Sequence, residues 1–311
     1  MKAIYIKEYG NAQQLIEGEL PRPAINDQQV LIKVKAAAIN PVDWMVREGL
    51  LQEDTGHELP LVLGWDAAGV ISELGKDVTD FKLGDEVFVY SPISDQGSYA
   101  QYLAVDANLV AHKPTSLDLT TSAAVPLAAT TAYQALVEGG ELQAGQTVLI
   151  HNAAGGVGSF AVQIAKSLGA HVIGTASQAK RDFVMALGCD EFIDYRNEDF
   201  SQQLKNVDMV LAAVGGEGLL EASLNVIKPK GALISLLDDM DPSLAQAKGI
   251  HFQRWWVTPN AQNLNSISKL IDEGNIRVEV DSIFPMSQIK KAHDLSQSQR
   301  AQGKIILEIP A

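Results

Sequence analysis

The stretch Val148-Leu149-Ile150-His151-Asn152-Ala153-Ala154-Gly155-Gly156-Val157-Gly158 decides the fold. It reads as a short apolar strand, a glycine-rich turn and the start of a helix. Ala153, Gly155 and Gly158 fit a G/A-x-G-x-x-G pattern. In that pattern a small first residue permits the tight turn, the second lets backbone approach a pyrophosphate, and the third lets helix and strand pack closely. A helix that opens at Gly156 and Val157 offers its unpaired N–H groups to phosphate. Alone the pattern is weak. The strand before it and the helical run from Phe160 to Gly169 supply the context it requires. The alternative is a tight βα turn with no ligand.

Working outward, strand and helix patterns keep alternating through His171–Thr175, Val207–Leu211 and Gly231–Ser235. Such alternation predicts βαβ units and a parallel sheet. One more helix is expected over Asn265–Glu273 and a closing strand over Lys304–Glu308. Upstream the texture is β-rich: Gln29–Ala36, Val70–Gly75 and Glu86–Tyr90 are strand-like. Turn signals at Pro21-Arg22-Pro23, Asn40-Pro41, Gly84-Asp85 and Gly97-Ser98 separate them. Leu119–Leu136 is alanine-rich and reads as helical.

Composition excludes several classes. The 311 residues are 46% hydrophobic and 20% charged, which rules out collagen-like, mucin-like and disordered chains. Lys and Arg number 24 against 38 Asp and Glu, a net charge of −14, which argues against nucleic acid and anionic membranes as partners. The single cysteine, Cys189, cannot form an internal disulfide or a multi-cysteine zinc site. The opening run Met1–Ile6 is too short for the apolar core of a signal peptide, and no stretch reads as a membrane span, so a cytoplasmic protein is expected.

The cofactor can be read one step further. An NAD-binding unit places Asp or Glu ~20 residues past the glycines, on the ribose 2′-OH. Counting about 20 from Gly155 reaches Thr175, and no acid occurs before Asp182. Ser177, Lys180 and Arg181 stand there instead, a hydroxyl and two cations suited to a 2′-phosphate. NADPH is therefore expected over NADH. A solvated helix start is the alternative for Lys180 and Arg181.

Asn40-Pro41-Val42-Asp43, Gly64-Trp65-Asp66-Ala67-Ala68-Gly69-Val70, Gly84-Asp85-Glu86-Val87, Leu127-Ala128-Ala129-Thr130-Thr131-Ala132-Tyr133 and the glycine-rich turn occur in that order. With the terminal Gly303-Lys304-Ile305-Ile306-Leu307 they resemble a medium-chain dehydrogenase/reductase of the zinc-independent quinone oxidoreductase branch, over essentially the whole chain. The resemblance implies an α/β protein. A GroES-like β domain would comprise residues 1–120 and 266–311, and a doubly wound parallel-sheet Rossmann domain residues 121–265. It also implies that Thr130, Ala213, Val214 and Gly215 lie near the nicotinamide and Lys304 at the cofactor cleft. Tyr195 matches a family tyrosine near the adenosine phosphate, with a plain surface aromatic as the alternative. Zinc relatives hold their catalytic metal with Cys, His and Cys. Those places correspond here to Asn40, Trp65 and Leu127, so no metal is expected.

Without a Lewis acid, hydride from NADPH needs an acceptor that is already electrophilic. Quinones and α,β-unsaturated carbonyls qualify. Within enzymes the rival is an alkenal or enone reductase without quinone activity; outside them it is a non-enzymatic NADPH-binding protein of crystallin type. The Asn40 amide could stabilise the oxygen that gains charge, or be only a turn residue before Pro41. Asp43 belongs either to the substrate pocket or, as a cap or buried acceptor, to the scaffold. Trp44, Met45 and Trp65 either wall the pocket or pack in the core, and His151 reads as structural. Relatives commonly pair as homodimers through a sheet edge. The aromatic segment Gly249–Val257 is the candidate contact here, unless its two Trp residues pack under the β domain or line the substrate cleft.

Overall fold

The structure is a computed structural model that describes residues 1–310. The chain divides into two units: Met1–Thr130 together with the stretch from Thr258 onward, and Thr131–Val257. Both divisions differ from the expected breaks after residues 120 and 265. The helix Leu119–Ser122 packs on sheet strands of the first unit, and the helix Ala261–Asp272 does the same, so packing assigns both to it.

Strands are numbered along the chain. The first unit contains β1 (Lys2–Ile6), β2 (Ile16–Glu19), β3 (Gln29–Ile39), β4 (Leu61–Val62), β5 (Asp66–Leu74), β6 (Glu86–Tyr90), β7 (Tyr102–Asp106) and β8 (Ala111–His112). The second holds β9 (Thr147–His151), β10 (His171–Ala176), β11 (Glu191–Asp194), β12 (Val207–Ala212), β13 (Ile227–Ser235) and β14 (His251–Arg254). The chain then returns to the first with β15 (Val280–Pro285) and β16 (Lys304–Glu308).

In the first unit the larger sheet runs β15-β16-β3-β5-β6-β8, with β7 also paired to β3. Its long central strand β3 alternates buried and exposed residues from Ile32 to Ala36, as the sequence shows, and then buries every residue through Ile39. The strand registers bring distant segments together. Ile305 pairs with Ile39 and Asp66 with Ala38, so the start of β16, the end of β3 and the start of β5 meet at one end of the sheet. The alanine-rich stretch is broken here. Pro126, which has no N–H to give a preceding turn, opens a separate helix, Pro126–Tyr133, followed by a π-helical turn, Gln134–Gly139.

In the second unit all six strands are parallel, in the order β11-β10-β9-β12-β13-β14. The order reverses direction between β9 and β12, the switch point at which such sheets open a crevice. The helix Gly156–Ser167 packs on β9 and β10, burying Phe160, Ala161, Val162 and Ile164. Leu149, Val210, Leu220, Leu224 and Leu233 form a second apolar cluster, and Phe252 of β14 packs against it. Among the described residues no helix is long and apolar enough to cross a membrane.

One surface clamp closes the first unit. Asp272 accepts from the N–H and hydroxyl of both Thr115 and Ser116. Burial would push its carboxyl up, but these donors hold it at about 2. The folded value lies below the unfolded ~3.9, so the stabilisation is complete above that value and is lost as pH falls toward about 2. Asp272→Asn is expected to melt below the unmodified protein at pH 7. The gap in melting temperature should narrow as pH drops below ~4; a gap that is absent at pH 7 or unchanged on acidification would contradict this account.

Candidate active site

The end of the sheet where β16, β3 and β5 meet carries a buried polar cluster. Asn40, Asp66 and Lys304 are at most 3% exposed. Asp66 accepts from three donors: the Leu127 N–H at 2.6 Å, Asn40 Nδ2 at 2.8 Å and Lys304 Nζ at 3.4 Å. Lys304 Nζ also donates to Asn40 Oδ1. Burial pushes the Asp66 carboxyl up, while the Lys304 charge, the Asn40 amide and the Leu127 N–H pull it down, and the balance is upward.

Asp43 lies beside this cluster on the helix Pro41–Arg47. Its Oδ2 accepts from the Asn40 backbone N–H at 2.7 Å and the Tyr99 hydroxyl at 2.6 Å, while Oδ1 has no partner. Burial is the main cause that raises its carboxyl to about 7; Asp66 adds to the rise, and Tyr99, the Asn40 N–H and Lys304 oppose it. Burial first, and the neighbouring Asp43 carboxylate second, hold the Tyr99 hydroxyl well above the usual phenol range.

These contacts decide between the alternatives left by the sequence. Asp43, fully buried, is a scaffold acceptor and not a pocket wall. Trp65 is likewise corrected from pocket to core: it is fully buried, stacks on His57 and donates its indole N–H to the Asp95 carbonyl at 3.1 Å. Trp44 and Met45 are half-buried, and Trp44 Nε1 has no partner. The Thr130 hydroxyl, one turn beyond Leu127, is buried and also unpartnered. Asn40 caps a helix as a turn residue would, yet its side chain is bound into the cluster. The sequence alone did not single out Asp66 or Tyr99, although Asp66 stands inside the motif Gly64–Val70.

In the second unit the glycine-rich turn follows β9. Asn152 adopts a left-handed φ of 55°, tolerable for Asn, and turns the chain. Gly155 caps the helix Gly156–Ser167 in an extended conformation, so the first-turn N–H groups at Gly156, Val157 and Gly158 have no intrahelical acceptor. A Cβ at Gly158 would lie 2.1 Å from the Asn152 carbonyl oxygen, so only glycine permits this approach of helix and strand. Ala153 is fully buried below the turn.

The remaining predicted cofactor residues follow the carboxyl ends of the neighbouring strands. Ser177, Lys180 and Arg181 follow β10, and Tyr195 follows β11, with its N–H bonded to the Ala176 carbonyl at 3.3 Å. Ala213, Val214 and Gly215 follow β12, and Asn152 Nδ2 reaches the Ala213 carbonyl at 3.4 Å. Thr175, where the spacing would place an acid, instead faces inward and meets His151 Nδ1 at 3.2 Å. His151 also meets Ser223, and burial lowers it to about 4, a neutral structural ring. One further cation is not evident from the sequence. Arg196 lies beside the exposed Tyr195, its guanidinium 5.7 Å from the ring centre. Its place just past the end of β11 is the signal that points to it.

Known proteins resemble this chain along nearly its whole length. The family models for a zinc-binding dehydrogenase and for an alcohol dehydrogenase GroES-like domain match residues 187–307 and 26–115. The chain is 36% identical to the chloroplastic NADPH-dependent alkenal/one oxidoreductase of Arabidopsis thaliana, over 99% of this chain and 79% of the relative. It is 34% identical to the mitochondrial NAD(P)H oxidoreductase RTN4IP1 of Danio rerio, over 90% and 84%. The quinone oxidoreductase structure from Coxiella burnetii superimposes with a TM-score of 0.93 at 32% identity, covering 100% of this chain and 99% of that one.

Two groups implied by these relatives can be tested against the residues. Zinc does not fit. The three expected ligand places supply an amide, an indole bonded elsewhere and an isobutyl group, and the adjacent Asp66 carboxylate is paired with the Lys304 ammonium. Among the described residues no group of three or more His, Cys, Asp or Glu could hold a metal. A dinucleotide does fit: the first-turn N–H groups at Gly156, Val157 and Gly158 have no intrahelical acceptor, and they follow the glycine-rich turn at the sheet's switch point.

Proposed function

Because the chain belongs to the medium-chain dehydrogenases/reductases, in their quinone oxidoreductase branch, we propose that it reduces quinones and other α,β-unsaturated carbonyls with NADPH and without zinc. The observation that carries this reading is Asn40, at one of the three expected ligand places, bound by Lys304 and Asp66 instead of a metal. NADPH, when bound, supplies the hydride. Gly156, Val157 and Gly158 hold its pyrophosphate on backbone N–H groups, and Gly155, without a side chain, lets the turn approach it. Ser177, Lys180, Arg181 and Arg196 receive the 2′-phosphate, with Tyr195 alongside. Thr130, Ala213, Val214 and Gly215 contact the nicotinamide, and the buried, unpartnered Thr130 hydroxyl supports this assignment. The second N–H of Asn40 Nδ2 donates to the substrate carbonyl oxygen as it gains charge. Trp44 and Met45 contribute apolar wall, and water supplies the proton for the final protonation. An aqueous, reducing compartment such as the cytoplasm suits an acidic chain whose single thiol is buried.

The deciding experiment is NADPH oxidation with a panel of quinones and enones, with and without chelator. Turnover of both classes that survives chelation is expected. Turnover of enones alone favours the alkenal-reductase alternative, which the Arabidopsis relative's name supports. Cofactor fluorescence changes with no consumption would make the chain a binding protein, and activity that requires stoichiometric zinc would sink the metal-free reading.

Cofactor choice is tested separately. Replacing Lys180 and Arg181 by Ala is expected to weaken NADPH binding roughly 10-fold to 150-fold, as loss of a charge-assisted bond of about 1.5–3 kcal/mol implies, with little change for NADH. Fluorescence titration reads both. Equal affinities for the two cofactors in the unmodified protein would contradict the assignment.

A homodimer is also proposed, through β14, which is an edge strand with a flank that is partly apolar. The flanking aromatics divide their roles: Trp255 packs within the second unit, against Gly139 and Gln134, whereas Trp256 is 49% exposed. A second copy about a two-fold axis would pair the edge and cover Trp256. Light scattering should give twice the chain mass of 33.4 kDa, and Trp256→Glu should shift it toward monomer. A monomer mass for the unmodified protein counts against the dimer, and a dimer unaffected by the change places the interface elsewhere.

A further inference from the structure

We propose that Lys304 is a positioning residue: with Asp66 it locks the Asn40 carboxamide in one orientation, so that its uncommitted hydrogen on Nδ2 remains a donor for the reacting carbonyl. This rests on the reading of Asn40 as the substrate's hydrogen-bond donor. An asparagine side chain is nearly symmetric in shape and can turn over, exchanging donor for acceptor. Here the neighbours forbid it. A lysine ammonium only donates, so it must face Oδ1; the Asp66 carboxylate, already bonded by the Leu127 N–H, accepts and so faces Nδ2. Turning the amide over would set N–H against ammonium and oxygen against carboxylate, among residues at most 3% exposed. The ammonium on Oδ1 also draws electron density from the amide and strengthens the remaining N–H as a donor.

The backbone delivers Lys304 to this place. Gly303 adopts a left-handed φ of 85°, and a Cβ there would lie 2.4 Å from the Glu279 carbonyl oxygen. The Lys304 N–H then bonds to that same carbonyl at 2.8 Å, and β16 begins. Because Ile305 pairs with Ile39, Lys304 comes to stand opposite Asn40, just past the end of β3. Glycine, turn and register together place a buried cation on one oxygen atom.

A double-mutant cycle separates positioning from a direct or merely structural role. Lys304→Met, Asn40→Ala and the pair are assayed with NADPH and two probes, 1,4-benzoquinone and but-3-en-2-one. Lys304→Met is expected to lower kcat roughly 10-fold to 100-fold, a loss of the size of one oriented donor, with the KM for NADPH nearly unchanged. In the Asn40→Ala background the same change should alter kcat less than about two-fold, because nothing is left to position. Lys304→Arg should restore part of the loss. An unchanged kcat in Lys304→Met overturns the proposal, and so does a full-sized loss in the Asn40→Ala background. If Lys304→Met does not fold, Lys304→Met/Asp66→Asn removes both charges and should show a lowered kcat that Asn40→Ala does not lower further; an additive loss overturns the lock. Urea unfolding of the same cycle needs no activity. Non-additive midpoints with an inactive unmodified protein would keep the lock and reject the proposed reaction. Turnover by the unmodified protein together with additive effects on kcat would keep the reaction and reject the lock.

Discussion

A carboxylate that cannot reach water must be met by donors, and Asp66 is fully buried. Its donors come from segments far apart in the sequence: Asn40 beyond the end of β3, Leu127 in the helix Pro126–Tyr133, and Lys304 at the start of β16. No local element could satisfy it. The first unit must therefore gather residues from both ends of the chain before this group is paired. Removing one partner from a buried ion pair typically costs about 3–5 kcal/mol, whereas exchanging the whole pair for apolar groups is often neutral. The cluster is consequently a weak explanation of stability and a better one of placement: it sets which atoms stand at the sheet's end.

A second buried network steadies the same region. Arg47, fully buried at the end of the helix Pro41–Arg47, donates to the Gly10 carbonyl, to Glu48 and to Gln297, and meets His293 Nδ1 at 3.1 Å. Because the guanidinium can only donate, Nδ1 must carry a lone pair. Burial first, and the Arg47 charge second, lower His293 to about 3, so the ring stays neutral. That helix is thereby pinned to the N-terminal and C-terminal segments at one end, while Asn40 and Asp43 hold its other end. The orientation of the Asn40 side chain inherits this rigidity.

Interaction range decides which features the sequence reveals and which it hides. Periodicity and glycine spacing are local, so the parallel sheet and the glycine-rich turn could be read directly. The domain joins were shifted because helix Leu119–Ser122 and helix Ala261–Asp272 are assigned by what they pack on, which no local pattern records. Trp65 and Asp43 were ambiguous for the same reason: a large aromatic or an acid near a motif looks alike whether it faces a pocket or a core. Lys304 carried a role by resemblance alone. Its contact with Asn40 spans 264 positions and depends on the β16–β3 register, which only the folded chain supplies. Arg196 needed the strand order before its position beside β10 had meaning.

The identity of the buried cation also bears on which acceptors suit the site. A zinc ion would bind a carbonyl oxygen directly and polarise even an isolated ketone. An ammonium held by Asn40 and Asp66 is already bonded, and part of its charge is neutralised by the adjacent carboxylate. What it can pass on is orientation and polarisation of a neutral amide, a weaker pull on the substrate oxygen than a metal exerts. Hydride addition under so mild a pull favours carbonyls whose negative charge is delocalised as it forms. Quinones and enones have that property through conjugation, and saturated ketones lack it. On the proposed reading, a lysine and an asparagine in place of a metal thus narrow the chemistry to such acceptors.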